Sequence, residues 1–351
     1  MKTPPTTAET AASGAVEGGG ADGTDEQEPL GLRELLGRNI SGVPILALLV
    51  IGLSLSTDTF LTGTNLDNLG RQVSIYAIIA LGELLVILTA GIDLSVGSVA
   101  GLAGVVAAKT VFETSSGGAT LGAIVLGLLV GAAAGAVNGA LVAFFRMPPF
   151  IVTLGMLGAA RGLTLVYTHG RTIQPLPDAF QEIAGGATLH VANLIWLTLI
   201  IALAVGFALH RTVWGRYVYA VGSNAESARL SGVPVRGVLV SVYALSGLVA
   251  GFGGILLASR LGNGVPTSGT GYELQAIAAC VIGGASLFGA RGTAVGALLG
   301  TIIVGLLNNG GTLLAIDPFW LQVVIGALMV IAVGLDQLQS RRPRSASMGT
   351  T

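Results

Sequence analysis

The sequence predicts an all-α integral membrane protein with about ten transmembrane helices, arranged as two inverted repeats of five spans. Three observations predict it. The 351 residues are 52% hydrophobic and only 10% charged, with a mean hydropathy of +0.81. A soluble globule carries about 25% charged residues, so this chain cannot cover its own surface in water. Glycine accounts for 54 residues, roughly twice average usage, which suits helices that approach closely inside a bilayer. Finally, apolar segments recur at about the length needed to cross ~30 Å of hydrocarbon.

The same composition excludes several functions. The net charge of −1 gives no basic field for nucleic acid. A single Cys280 allows no internal disulfide. Lys2 and Lys109 are the only lysines, and Lys109 lacks the preceding glycines of a phosphate-binding loop, so the chain has no Walker-type ATPase site of its own. No His-Glu-x-x-His or cysteine pair marks a metal centre, no nucleophile elbow is present, and His169, His190 and His210 are scattered. No cofactor and no catalytic residue are expected.

In order along the chain, residues 1–30 hold six acids against Lys2, with Pro4, Pro5 and Gly18-Gly19-Gly20. They bury too little apolar surface to offset ordering and are expected to be a disordered acidic tail. They also lack the basic start and apolar run of a secretory signal. Residues 30–38 read as a short amphipathic helix carrying Arg33 and Arg38. The apolar spans are then 40–56, 73–90, 94–108, 120–145, 150–167, 191–209, 237–259, 274–290, 292–316 and 318–335, the third being the shortest. Only Glu83 and Arg161 place charge inside a span. With the N-terminus inside, the inner segments collect twelve of the 17 basic residues and the outer loops only Arg71, Lys109, Arg171 and Arg260. This asymmetry places both termini in the cytoplasm. A basic tail closes the chain over 339–351.

The five-span repeat rests on matched residues. Gly91-Ile92-Asp93-Leu94 aligns with Gly271-Tyr272-Glu273-Leu274, Val137-Asn138-Gly139 with Asn308-Asn309-Gly310, and Pro149-Phe150 with Pro318-Phe319. An odd number of spans inverts the second half, an arrangement typical of transporters. The candidates for lining a permeation path are Glu83, Asp93, Ser95, Asn138, Glu273, Asn308 and Asn309. For Asp93 and Glu273, capping of a helix start is the more direct reading. Ser95 and Ser98, spaced by Gly91 and Gly97, also suit plain helix packing. Glu83 and Arg161 are costly in hydrocarbon and should face the bundle interior, a cavity or each other.

The loop between spans six and seven is the most informative polar segment. Ser223 or Asn224 can cap a helix, Ala225 to Leu230 favours one, and Gly232 followed by Pro234 stops it. The result is a short exposed helix suited to a partner's groove.

The run Ile87-Leu88-Thr89-Ala90-Gly91-Ile92-Asp93-Leu94-Ser95-Val96-Gly97-Ser98 resembles the signature of permease subunits of ribose- and xylose-type ABC sugar importers. So do Gly215-Arg216 through Gly232-Val233-Pro234, Thr270-Gly271-Tyr272-Glu273-Leu274 through Gly289, and Leu306-Leu307-Asn308-Asn309-Gly310. The resemblance covers about residues 35–338 in order; branched-chain amino-acid permeases carry weaker versions of the motifs. It implies a permease domain over 31–338 and a second permease subunit, in a homodimer or close heterodimer with the path between subunits. It further implies separate cytoplasmic ATP-binding subunits and an extracytoplasmic sugar-binding protein. It makes about 210–236 a coupling segment, with Asn224, Glu226, Ala228, Arg229, Ser231 and Gly232 as ATPase contacts. The alternatives are a secondary sugar carrier coupled through Glu83 and an ABC permease for another small polar solute.

Overall fold

All ten apolar segments are helical in the computed structural model, which describes residues 42–114 and 118–340. The acidic tail, the amphipathic helix expected at 30–38 and the basic tail from 341 lie outside the described residues. The ten are α1 (Gly42–Ser56), α2 (Gly63–Leu88), α3 (Val96–Glu113), α4 (Ala119–Phe145), α5 (Pro149–Thr168), α7 (Asn193–Arg211), α10 (Val235–Leu261), α11 (Tyr272–Ile282), α12 (Ala294–Leu313) and α13 (Pro318–Ser340). Three short helices and a hairpin complete the order: α6 (Asp178–Gly185), β1 (Ala187–Thr188), β2 (Val191–Ala192), α8 (Val213–Ser223) and α9 (Ala225–Leu230). Seven helices, α2, α3, α4, α5, α7, α10 and α12, are long and apolar enough to cross a membrane. The remaining three apolar helices are shorter in helix or in apolar length.

Three boundaries differ from expectation for physical reasons. Helix α2 starts at Gly63 rather than near 73, because Thr62 Oγ1 accepts from the Asn65 amide and caps a polar first turn. Helix α3 is not the shortest, since Lys109 and Glu113, four residues apart with Nζ to Oε1 at 3.8 Å, carry it past the apolar stretch. The shortest is α11, with 11 residues. The span expected over 274–290 stops being helical at Ile282, and the 283–293 connector turns through Gly284, Gly289 and Gly292 at φ of +90°, +87° and +148°. Side chains rarely adopt that backbone conformation.

Helices α2, α3 and α10 form the interior, and α4, α5 and α7 present most of their surface outward. Leu129, Phe150, Val166, Leu203 and Phe207 are exposed there, as a lipid-facing surface requires. Close approach of α4 to α10 depends on glycine: a Cβ at Gly131 would run into the Gly247 carbonyl, and one at Gly135 into the Tyr243 carbonyl. Helix α6, which sequence reading missed, docks by hydrogen bonds. Arg71 donates to the Ala184 and Gly185 carbonyls at 3.1 and 3.0 Å, and Ser259 Oγ accepts from the Ala184 amide and donates to the Phe180 carbonyl.

Candidate functional site

Two features stand out: a junction where two interrupted helices begin, and an exposed helix at one end of the bundle.

The junction starts where α2 ends. Ala90 turns at φ +60°, and the chain doubles back along the helix it has just left. The Gly91 amide bonds the Val86 carbonyl at 3.1 Å, and the Asp93 amide bonds Glu83 Oε1 at 3.1 Å. Asp93 Oδ1 then accepts from the Ser95 amide at 2.8 Å and from Ser95 Oγ at 2.5 Å, while Asn138 Nδ2 donates to Ser95 Oγ at 3.0 Å. Helix α3 begins only after this turn. Asp93 therefore braces the residue at which the helix starts, rather than capping amides inside it.

The second interruption follows α10. After Gly262, residues 262–271 run back along α3, with Gly264 against Ala108, Ser268 against Gly101 and Gly269 against Gly97. Arg161 of α5 holds this segment by donating to the Pro266 and Ser268 carbonyls at 3.3 and 3.0 Å. Helix α11 then starts at Tyr272, and the Gly271 amide donates to Glu273 Oε1 at 3.2 Å. Gly97 lies directly against Glu273 Oε2 and the Gly269 carbonyl. The starts of α3 and α11 thus meet, with Asp93 in the turn before α3 and Glu273 in the first turn of α11. Both helix dipoles present their positive ends there.

Four of the seven path candidates, Glu83, Asp93, Ser95 and Asn138, are brought together, each at most 1% exposed. Glu273 joins them across Gly97. Asn308 and Asn309 do not. Asn309 exchanges two side-chain hydrogen bonds with Asn65, at 3.1 and 2.8 Å, and Asn308 Nδ2 bonds the Val304 carbonyl of its own helix. Arg161 pairs with carbonyls and not with Glu83. The cavity beside the junction, between Gly101, Gly104, Gly254 and Ser268, measures ≈ 10 Å³. That is room for about one water-sized sphere, too little for a sugar. Sequence reading missed Tyr243, whose buried hydroxyl packs on Gly91. Nothing local distinguishes it from other aromatic residues of an apolar span.

The exposed helix is α9. Asn224 Oδ1 accepts from the Ser227 amide at 2.8 Å as its N-cap, and Gly232 at φ +85° ends it, as its residue types require. Arg229 binds Glu226 through two hydrogen bonds, of 3.0 and 2.5 Å. This bond holds the Glu226 carboxyl below its usual range, so the pair persists above that range and opens only in acid. Ser231 and Gly232 are also exposed. Ala228 is not: at 6% exposure it packs into the chain's own core, and its carbonyl accepts from the Val233 amide at 3.0 Å. Its assignment to a partner-facing surface is therefore corrected. Leu230, 74% exposed, is the apolar side chain that sequence reading overlooked.

Helix α9 is wired to the junction. Gly222, in the last turn of α8, lies against the Leu88 carbonyl and the Ala290 amide, and that amide bonds the Leu88 carbonyl at 2.9 Å. Gly289 packs in turn on the Gly222 carbonyl and Ala90. The helix preceding α9 therefore sits on the turn that leads to Asp93.

Residues 65–333 match the family described as branched-chain amino acid transport system / permease component. Over 302 residues the chain is 44% identical to the ribose import permease protein RbsC of Escherichia coli K12, covering 83% of this chain and 92% of that one. It is 43% identical over 298 residues to the ribose import permease protein RbsC of Bacillus subtilis, covering 84% and 91%. It is 38% identical over 298 residues to the D-allose transport system permease protein AlsC of Escherichia coli K12, covering 85% and 91%. No solved structure matches the chain.

Proposed function

Because the chain belongs to the family of branched-chain amino acid transport system permease components, we propose that it is the membrane subunit of an ATP-driven importer for a ribose-like monosaccharide. The substrate class rests on relatives whose names specify ribose import and D-allose transport. The observation that carries the mechanism is the contact of Gly222 with Leu88 and Ala290, which joins exposed α9 to the junction of the interrupted helices.

In this reading a separate cytoplasmic ATPase grips α9 through Leu230, Glu226, Arg229 and the polar residues Asn224, Ser231 and Gly232. Closure of its dimer pulls α8 and α9, and the Leu88–Ala290 seam passes the displacement to the starts of α3 and α11. An extracytoplasmic binding protein delivers the sugar at the opposite end. The two interrupted helices occupy matched places in an inverted repeat of five spans, α1–α5 and α7 with α10–α13. Pro149 and Pro318 open the last helix of each half, where a fixed φ suits a first turn. The cavity beside the polar junction is too small for a sugar, so in this reading the sugar path lies between two copies, and Glu83, Asp93, Ser95 and Asn138 brace the moving helices from inside. Asn309, through Asn65, ties α12 to α2.

Orientation follows the basic residues. A cysteine replacing Ser227 in a Cys280→Ser background is protected from an impermeant thiol reagent in intact cells, whereas one replacing exposed Asp178 is labelled; the reverse pattern contradicts the topology. The function itself is tested by reconstituting the chain with its ATPase and binding protein. Sugar-loaded binding protein raises ATP hydrolysis severalfold over the unloaded form, and identical rates with both contradict the import reading.

A further inference from the structure

Glu83 and Asp93 form a buried carboxyl pair without a base. Their residues are 0% and 1% exposed, and neither forms an ion pair among the described residues. The elements around Glu83 bring only acids and neutral groups to it. The 89–95 turn brings Asp93 and Ser95, α10 brings Tyr243, α11 brings Cys280, and α4 brings Asn138 through Ser95; α12 has no titratable side chain. Two adjacent carboxylates in such surroundings cannot both remain ionised, and the one with fewer donors keeps the proton.

The hydrogen bonds separate the two. Asp93 Oδ1 receives the Ser95 amide and the Ser95 hydroxyl, and the latter is oriented by Asn138 Nδ2. Donors of this kind stabilise an anion. Glu83 receives one donor, the Asp93 amide at 3.1 Å on Oε1, and its Oε2 is buried without a partner. We propose that Glu83 is a proton-binding site: of the two carboxyls it is Glu83, at Oε2, that carries a proton at neutral pH where the chain turns into α3. The proton leaves Oε1 free to accept the Asp93 amide, so the carboxyl closes the 89–95 turn. Glutamine reproduces this state, offering the same carbonyl and an N–H in place of the O–H.

The test is infrared spectroscopy of the full-length permease in lipid nanodiscs at neutral pH, reading the C=O stretch of a protonated carboxyl. The wild type shows this band, it moves in D₂O, Glu83→Gln removes it and Asp93→Asn retains it. Absence of the band from the wild type overturns the proposal, as does its persistence in Glu83→Gln or its loss in Asp93→Asn. Failure of Glu83→Gln to accumulate in the membrane, where Asp93→Asn accumulates, contradicts it as well, because a neutral isostere must be tolerated. None of these readouts depends on transport, so the result stands whether or not the importer reading survives.

Discussion

Replacing Gly97 by leucine abolishes transport. Any side chain there meets Glu273 Oε2 and the Gly269 carbonyl, and neither can withdraw freely, because Glu273 is tied to the Gly271 amide and the returning segment is held by Arg161. Overpacking in a filled interior costs roughly 1–3 kcal/mol even where neighbours can yield. The starts of α3 and α11 must therefore separate, and the junction they form is lost. The measurement is sugar uptake in proteoliposomes, normalised to inserted protein. Uptake above about a tenth of wild type sinks the claim that the junction works as a unit. Asp93→Asn is the milder companion. Asparagine keeps an oxygen acceptor for the Ser95 amide and hydroxyl, so at normal membrane levels it retains a substantial fraction of uptake. Total loss would assign the Asp93 charge a direct role.

The second large effect is expected at α9. Leu230→Asp removes the exposed apolar side chain of a short helix and should weaken ATPase assembly at least tenfold, about 1.4 kcal/mol. Glu226→Ala and Arg229→Ala separate two roles for the ion pair. A pair exposed to solvent contributes little to folding, so both variants insert normally. If the pair reaches into the ATPase, both lose co-purifying ATPase and stimulated hydrolysis. Ala228→Trp acts differently. A ring at this buried position pushes α9 off the chain's own core, so assembly fails together with the local fold. Wild-type assembly for Leu230→Asp, Glu226→Ala and Arg229→Ala alike would remove α9 from the coupling route.

What was legible in the sequence follows the range of the forces involved. Apolar segments are set by local transfer energetics, and each of the ten contains a helix, although the one over 274–290 ends at Ile282. The ends of α9 were equally readable, because an Asn224 cap and a positive-φ Gly232 act over three or four residues. The first turns of α2 were not, since Asn65 and Arg71 carry that helix beyond its apolar stretch on polar contacts to residues distant in sequence, Asn309 and Ala184. The end of α11 was hidden for the opposite reason: Leu287 and Phe288 keep the 283–293 connector apolar while its glycines turn the chain. Partners distant in sequence were invisible. Asn309 matched Asn138 in its neighbours, yet it bonds Asn65, 244 residues away. Ala228 was carried over with the rest of the coupling segment from the family resemblance, and a six-residue helix is too short to show the apolar stripe that would have set it apart. Asp93 and Glu273 were singled out as a pair, but nothing in the sequence showed that their two helices start against one another.

The account turns on ATP-driven import through α9. The direct measurement is uptake of labelled monosaccharide into proteoliposomes holding the permease and its ATPase, with binding protein on the side that presents the sugar, with and without ATP, and with the proton gradient collapsed by an ionophore. The account predicts uptake that requires ATP and is unchanged by the ionophore. Uptake that proceeds without ATP and stops when the proton gradient is collapsed would contradict it and make the chain a secondary carrier.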